Sequence, residues 1–237
     1  MTPSTLCTGR APLFEALPPA YDVATETIRA GGRSFSMLVV RDTNRLLDAI
    51  DPAAFARDER LPYWAEVWTS AVALAEWCLG RHWPPGTQVL ELGCGLGLAG
   101  LAAAAAGADV TMTDYEEDAL RFARSNAERN LPGSVLRSRL RFQVMDWRAP
   151  SLDRHYNVIL GADIVYERRM FSPLLGLMEL ALAPGGSAVL TDPDRSAGEA
   201  FLLQAERVGF LATATPCTVQ RDGRSARVVR MELRKET

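Results

Sequence analysis

The sequence predicts an α/β fold: a mostly parallel sheet with helices on both faces, closed at the C-terminal end by an antiparallel hairpin. Three observations carry this. Between residues 87 and 192, strand-like and helix-like segments alternate at short spacing, the pattern of successive βα units. The strand TQVLELG runs directly into a glycine-rich turn and then a small-residue helix, LGLAGLAAAAAG. The C-terminal segment changes character: GFLATATPCTVQ and RSARVVRMELR are strand runs joined around Arg221-Asp222-Gly223, and Asp-Gly between strands signals a hairpin.

Each element follows in order. TETIRAGGRSFSMLVV (25–40) contains two strand runs joined at Gly31-Gly32, a predicted hairpin. LPYWAEVWTSAVALAEWCLG (61–80) is predicted as a helix. Trp64, Val67, Trp68, Ala71, Leu74, Ala75 and Cys78 recur at helical spacing, and Gly80 suits the C-terminal cap. After TQVLELG and its helix, ADVTMTD is a second core strand. YEEDALRFARSNAERN is a helix whose leading acids suit the positive end of its dipole. RLRFQVMD, YNVILGAD and SAVLTD are the next three strands. MFSPLLGLMELALAPGG is the helix between the last two, ended by Pro184-Gly185-Gly186, and another helix covers about 195–208. The arginines of RSRLRF (137–142) read as a solvated face leading into a strand. With the hairpin, the sheet has seven strands. Residues 1–60 form an extension carrying the N-terminal hairpin, and 61–237 form the main domain.

A chain of 237 residues with 48% apolar content buries a substantial core. No apolar run is long enough to span a bilayer, and the N-terminus lacks a signal-peptide pattern. Cys7, Cys78, Cys94 and Cys217 are too dispersed for a disulfide framework or zinc knuckle, so a cytoplasmic protein is expected. His82 and His155 lack metal-ligand spacing, and no metal is expected. A net charge of −3 argues against a nucleic-acid partner. Lys235 is the only lysine, a bias that fits coding in a GC-rich bacterial genome. Residues 1–22 are expected to be loosely ordered, and 41–60 to help wall an acceptor pocket.

The stretch VLELGCGLGLAG (89–100) admits two nucleotide readings. From Gly95 it is G-x-G-x-x-G, a dinucleotide fingerprint; from Glu91 it is E-x-G-x-G-x-G, the pattern of S-adenosylmethionine users. Gly93, Gly95 and Gly97 permit a tight turn and close approach of a ligand. Asp114, ending the second core strand, can accept from ribose hydroxyls in either reading. Glu91 discriminates: a carboxylate there repels a pyrophosphate but favours a sulfonium and an ammonium. Asp146 and Trp147, after the third core strand, offer an acceptor and an aromatic surface to an adenine. The antiparallel finish also departs from the doubled βαβαβ layout of dinucleotide folds.

The set ELGCGLG, Asp114, MDW and GADIVY resembles the class I methyltransferases, which have a Rossmann-like seven-stranded sheet. Within them it resembles family 16, which holds many protein-lysine methyltransferases. PYWAEVW (62–68) is similar to that family's segment before the core, whose tryptophan, here Trp68, contacts the cofactor. GADIVY matches its D-x-x-Y signature as Asp163 and Tyr166. TDPDR (191–195) resembles the D-P-G-R segment of the branch acting on the β subunit of electron transfer flavoprotein, with Asp194 replacing the glycine. The resemblance covers about residues 61–237. It implies S-adenosylmethionine as cofactor, S-adenosylhomocysteine as product, and a cofactor set of Trp68, Glu91, Gly93, Cys94, Gly95, Gly97, Asp114, Tyr115, Asp146, Trp147 and Ala162. It casts Asp163 and Tyr166 as the catalytic pair. The implied activity is N-methylation, with a protein lysine favoured as acceptor and a small-molecule amine as the alternative. A non-catalytic module that binds the cofactor is the reading of a different class. The proline-free ADIVY lacks the [DNS]-P-P-[YFW] segment of enzymes that methylate base amines, so no nucleic-acid acceptor is expected.

Overall fold

The computed structural model describes residues 17, 21–48, 61–221 and 223–235. The sequence readings for most of 1–22, for 49–60, for Cys7 and for Asp222 lie outside the described residues. The chain forms β1 (Val23–Ala30), β2 (Arg33–Val40), α1 (Asn44–Asp48), α2 (Thr69–Leu79), β3 (Gln88–Leu92), α3 (Leu98–Ala106) and β4 (Asp109–Asp114). It continues through α4 (Glu117–Asn130), α5 (Gly133–Arg139), β5 (Leu140–Val144), β6 (Tyr156–Ala162), α6 (Phe171–Ala181) and β7 (Leu182–Asp192). It ends with α7 (Ser196–Arg207), β8 (Phe210–Arg221) and β9 (Arg224–Lys235).

The seven-stranded sheet has the order β5-β4-β3-β6-β7-β9-β8. Strands β3 to β7 pair in parallel, whereas β9 inserts antiparallel between β7 and β8. The order reverses between β3 and β6, which opens a crevice beyond their carboxyl ends, the place where open α/β sheets hold ligands. Side-chain alternation along the strands feeds two cores. On one face Val89, Val110 and Met112 pack with α2, α3 and α4; on the other Leu90, Leu92 and Ile159 pack with α6 and α7.

The N-terminal hairpin is a separate two-stranded sheet that docks on α4. Its open edge is met by two amides one helical turn apart. Asn130 accepts from the Ser36 N–H at 2.7 Å and donates to its carbonyl at 2.9 Å. Asn126 does the same for Leu38, at 2.6 and 3.2 Å, so the helix completes the edge as a third strand would. Asn126 also donates to the Leu96 carbonyl at 3.0 Å, which ties hairpin, helix and glycine turn together.

Three sequence expectations are corrected. Residues 61–68 are not helical: a 3-10 turn spans Tyr63–Ala65, Glu66 and Trp68 are extended, and the helix starts at Thr69. The Trp68 indole N–H turns back to the Tyr63 carbonyl at 2.7 Å, and the Arg221 guanidinium donates to the Val67 carbonyl, which satisfies backbone that a helix would have used. Residues 133–139 form a helix instead of leading straight into a strand. There Arg139 donates to the Gly107 carbonyl and pairs with Asp109, so it is not purely solvated. Helix α6 stops at Ala181, ahead of Pro184-Gly185-Gly186, because Leu182 already pairs with Tyr156 on β6.

Candidate active site

A cleft of about 480 Å³ opens at the carboxyl ends of β3, β4 and β6. All thirteen residues singled out in the sequence line it: Trp68, Glu91, Gly93, Cys94, Gly95, Gly97, Asp114, Tyr115, Asp146, Trp147, Ala162, Asp163 and Tyr166. Seven carboxylates contribute to its walls against three arginines, so the cleft is electrostatically negative.

The floor is the turn after β3. Gly93, Gly95 and Gly97 have φ of 61°, 50° and 91°, a region that side chains rarely adopt. Protein atoms also crowd their Cβ directions: a Cβ at Gly97 would lie 2.7 Å from Met112, and one at Gly95 would lie 3.3 Å from the Trp64 carbonyl. The glycines are therefore demanded by the turn and its packing, the first of the two roles the sequence gives them. Cys94 is buried, and burial pushes its thiol well above the usual range.

Glu91 is 2% exposed on the inner wall, and its Oε2 has no hydrogen-bond partner among the described residues. Gly100 on α3 makes room for it, since a Cβ there would lie 2.3 Å from that oxygen. Burial pushes its pKa up to about 8, opposed by the Gly100 backbone N–H and reinforced by Asp114. A partnerless buried carboxylate oxygen is what a cationic ligand satisfies, and what a pyrophosphate makes worse. Asp114 accepts from the Gly95 N–H at 2.9 Å and the Glu116 N–H at 3.0 Å. Burial raises it to about 6 against those two hydrogen bonds, and it keeps lone pairs for a further donor.

On another wall of the cleft, Asp146 forms a forked pair with Arg148, at 2.9 and 2.8 Å. That guanidinium lies 5.8 Å from the Tyr115 ring. Trp147 packs beneath Gly93, its ring 3.2 Å from where a Cβ would sit. Trp64 lies nearer the glycine turn than Trp68 does, and the sequence reading passed over it as one more apolar helix position.

At the rim, β6 delivers Ala162 and then Asp163, whose φ of 60° is unusual for a residue with a side chain. Its backbone N–H donates to the Thr191 carbonyl at 2.8 Å, so the strained turn is fastened to β7. Asp163 caps no helix; one oxygen accepts from Arg195 and the other from the Ser70 hydroxyl at 3.4 Å. Burial raises its pKa and Asp192 adds to this, whereas Arg195 and Ser70 oppose it. Tyr166 is exposed, not core, with its ring 5.6 Å from Tyr63, which in turn lies 6.0 Å from Trp68. Partial burial and the neighbouring Glu167 push its hydroxyl up to about 12, so it stays a hydrogen-bond donor. Arg195 and its buried anchor Asp192 were not singled out in the sequence; the only signal was the TDPDR string. Asp194 within it has φ 65°, the conformation that suits the glycine of D-P-G-R.

Residues 58–206 match the model of a lysine methyltransferase family. The chain belongs to that family. Among similar proteins is protein N-lysine methyltransferase METTL21A of Danio rerio, 39% identical over 137 residues, which cover 56% of this chain and 61% of the relative. EEF1A lysine methyltransferase 3 of Mus musculus is 34% identical over 143 residues, 58% of this chain and 59% of that protein. The chain thus matches about three-fifths of the length of these curated relatives. The same fold occurs in the glycopeptide N-methyltransferase MtfA solved with S-adenosyl-L-methionine. Its TM-score is 0.58 at 18% identity, over 72% of this chain and all of that one. Among the described residues, no helix is long and apolar enough to cross a membrane.

Proposed function

We propose that the chain is an S-adenosylmethionine-dependent N-methyltransferase acting on a protein lysine side chain. One observation carries the reading: a single negative cleft joins a glycine turn, with the unpartnered Oε2 of Glu91 on its inner wall, to an acceptor rim made by Asp163 and Tyr166. The residues fit the cofactor. Glu91, ionised as a positive charge arrives beside it, provides negative charge for the cationic end, Asp114 an acceptor for the ribose, and Asp146 and Trp147 an edge and a face for the adenine. When bound, S-adenosylmethionine supplies an electrophilic methyl group: the N–C bond forms as the S–C bond breaks, and its electron pair passes to sulfur.

The protein's task is positioning and charge control. A lysine ammonium has no lone pair, and deprotonating it at neutral pH costs about 5 kcal/mol. Asp163 docks the nitrogen and stabilises the positive charge that grows on it during attack. The Tyr166 hydroxyl orients the lone pair, and the exposed rings of Tyr63, Trp68 and Tyr166 shield the transfer from water while covering the aliphatic stem. The proton lost from nitrogen leaves to solvent through the open rim. The names of the two animal relatives support lysine as the acceptor class. Free Cys78, Cys94 and Cys217 fit a reducing, cytoplasmic setting, and the near-absence of lysine a bacterial source.

The test uses methyl-labelled S-adenosylmethionine with a lysate of the source cell, comparing wild type with Asp163→Ala. Label in one protein band, mapped to lysine and lost in the variant, is expected. Label confined to small molecules would exclude the protein acceptor, and cofactor binding without any transfer would leave only a binding module.

A further inference from the structure

The acceptor end of the cleft already holds a cation that belongs to the protein. Arg195 precedes α7 and is clamped by Asp192, which is 1% exposed. Its backbone N–H donates to Asp192 Oδ1 at 2.7 Å, and its Nε and Nη2 donate to Oδ2 at 3.1 and 2.7 Å. The same Nη2 reaches Asp163 Oδ1, and the guanidinium carbon lies 6.0 Å from the centre of the Tyr166 ring. Glu167 adds a further carboxylate beside Tyr166, with Asp114 also contributing to the field there. Asp163 and Asp192 together carry two negative charges and Arg195 returns one positive charge.

We propose that Arg195 is a positioning residue that sets the charge balance of the acceptor subsite, so that an arriving amine loses its proton more readily than two uncompensated carboxylates would allow. The inference rests on the methyltransferase reading above. Two bare carboxylates would bind an ammonium tightly and hold it protonated, because an opposite charge stabilises the charged form. A cation at the same place opposes this, as a neighbouring cationic group does for activated lysines. One net negative charge remains to dock the amine. Arg195 does this through Asp163: it donates to one carboxylate oxygen while the other accepts from Ser70, so the carboxylate is held between the two. Asp192 keeps the guanidinium in place while an amine competes for Asp163.

Sinefungin is a suitable probe, because it carries a primary amine where S-adenosylmethionine carries its methyl sulfonium. S-adenosylhomocysteine is the uncharged reference at that position. Calorimetry on the full chain at neutral pH gives the affinity ratio of the two ligands for wild type, Arg195→Gln and Arg195→Lys. Removing the guanidinium charge should shift the ratio toward sinefungin by at least about threefold, a modest share of one nearby unit charge at protein-surface dielectric. Arg195→Lys, which restores a positive charge, should bring the ratio back toward wild type. A purely structural role would weaken both ligands together and leave the ratio fixed, which overturns the inference. A lysine variant that behaves like the glutamine variant overturns it as well. Failure of wild type to bind S-adenosylhomocysteine would instead refute the cofactor reading on which the inference stands.

Discussion

Replacing Glu91 with glutamine should move stability and cofactor affinity in opposite directions. The side chain is 2% exposed, and burial raises its pKa from 4.5 to about 8. At about 1.36 kcal/mol per unit, that gap corresponds to about 5 kcal/mol. The sign follows from linkage: the folded chain holds a proton that the unfolded chain releases, so stability falls as pH rises from about 4.5 to about 8 and levels off above. Asp114, raised to about 6, adds its own slope at lower pH in both proteins, so the window from about 6 to 8 isolates Glu91. Across it, wild type without ligand should lose about 2 to 3 kcal/mol that Glu91→Gln retains. The neutral amide cannot supply charge to a cationic ligand, so S-adenosylhomocysteine should bind the variant at least about tenfold more weakly, a loss of about 1.4 kcal/mol. Urea denaturation at both ends of the window reads the first effect, and calorimetry reads the second. Parallel pH dependences in the two proteins would refute a buried Glu91 that holds its proton to about pH 8. Unchanged affinity would refute its role toward the ligand.

Asn126→Ala removes an amide, 0% exposed, that serves Leu38 and Leu96 at once. Leaving those buried groups unpaired should cost about 2–4 kcal/mol in urea denaturation, with faster hydrogen exchange at the Leu38 amide. Gly97→Ala forces a side chain into φ 91° with its Cβ 2.7 Å from Met112. Strain there should cost about 1–3 kcal/mol and lower S-adenosylhomocysteine affinity in calorimetry, because the turn itself must shift.

Much of the fold was legible because its signals are local. Strand runs entering glycine turns, helices at regular spacing and the Asp-Gly hairpin each depend on a few neighbouring residues. The segment before α2 was misread because Trp64, Val67 and Trp68 do fall at helical spacing. The Trp64 backbone instead lies against Gly95 while its ring packs on Tyr21 and Phe122, Trp68 stands exposed beside Tyr63, and the partners that hold the backbone open include Arg221, far away in sequence. Docking of the hairpin was illegible for a related reason: Asn126 and Asn130 read as ordinary polar positions of a helix, and only the tertiary arrangement presents them to a strand edge. The candidate site was found through glycines, acids and aromatics at motif spacing. Arg195 was not, because an arginine near a helix start looks like surface until β7 and β6 bring Asp192 and Asp163 to its two sides.

A cleft built for a cationic adenosyl ligand should reject a pyrophosphate. Titrating the purified chain with S-adenosylhomocysteine and, separately, with NAD in one calorimeter decides between the two. Saturable binding of S-adenosylhomocysteine and no heat from NAD are expected. Preferential binding of NAD would contradict this, because the unpartnered Oε2 of Glu91 would then face phosphates.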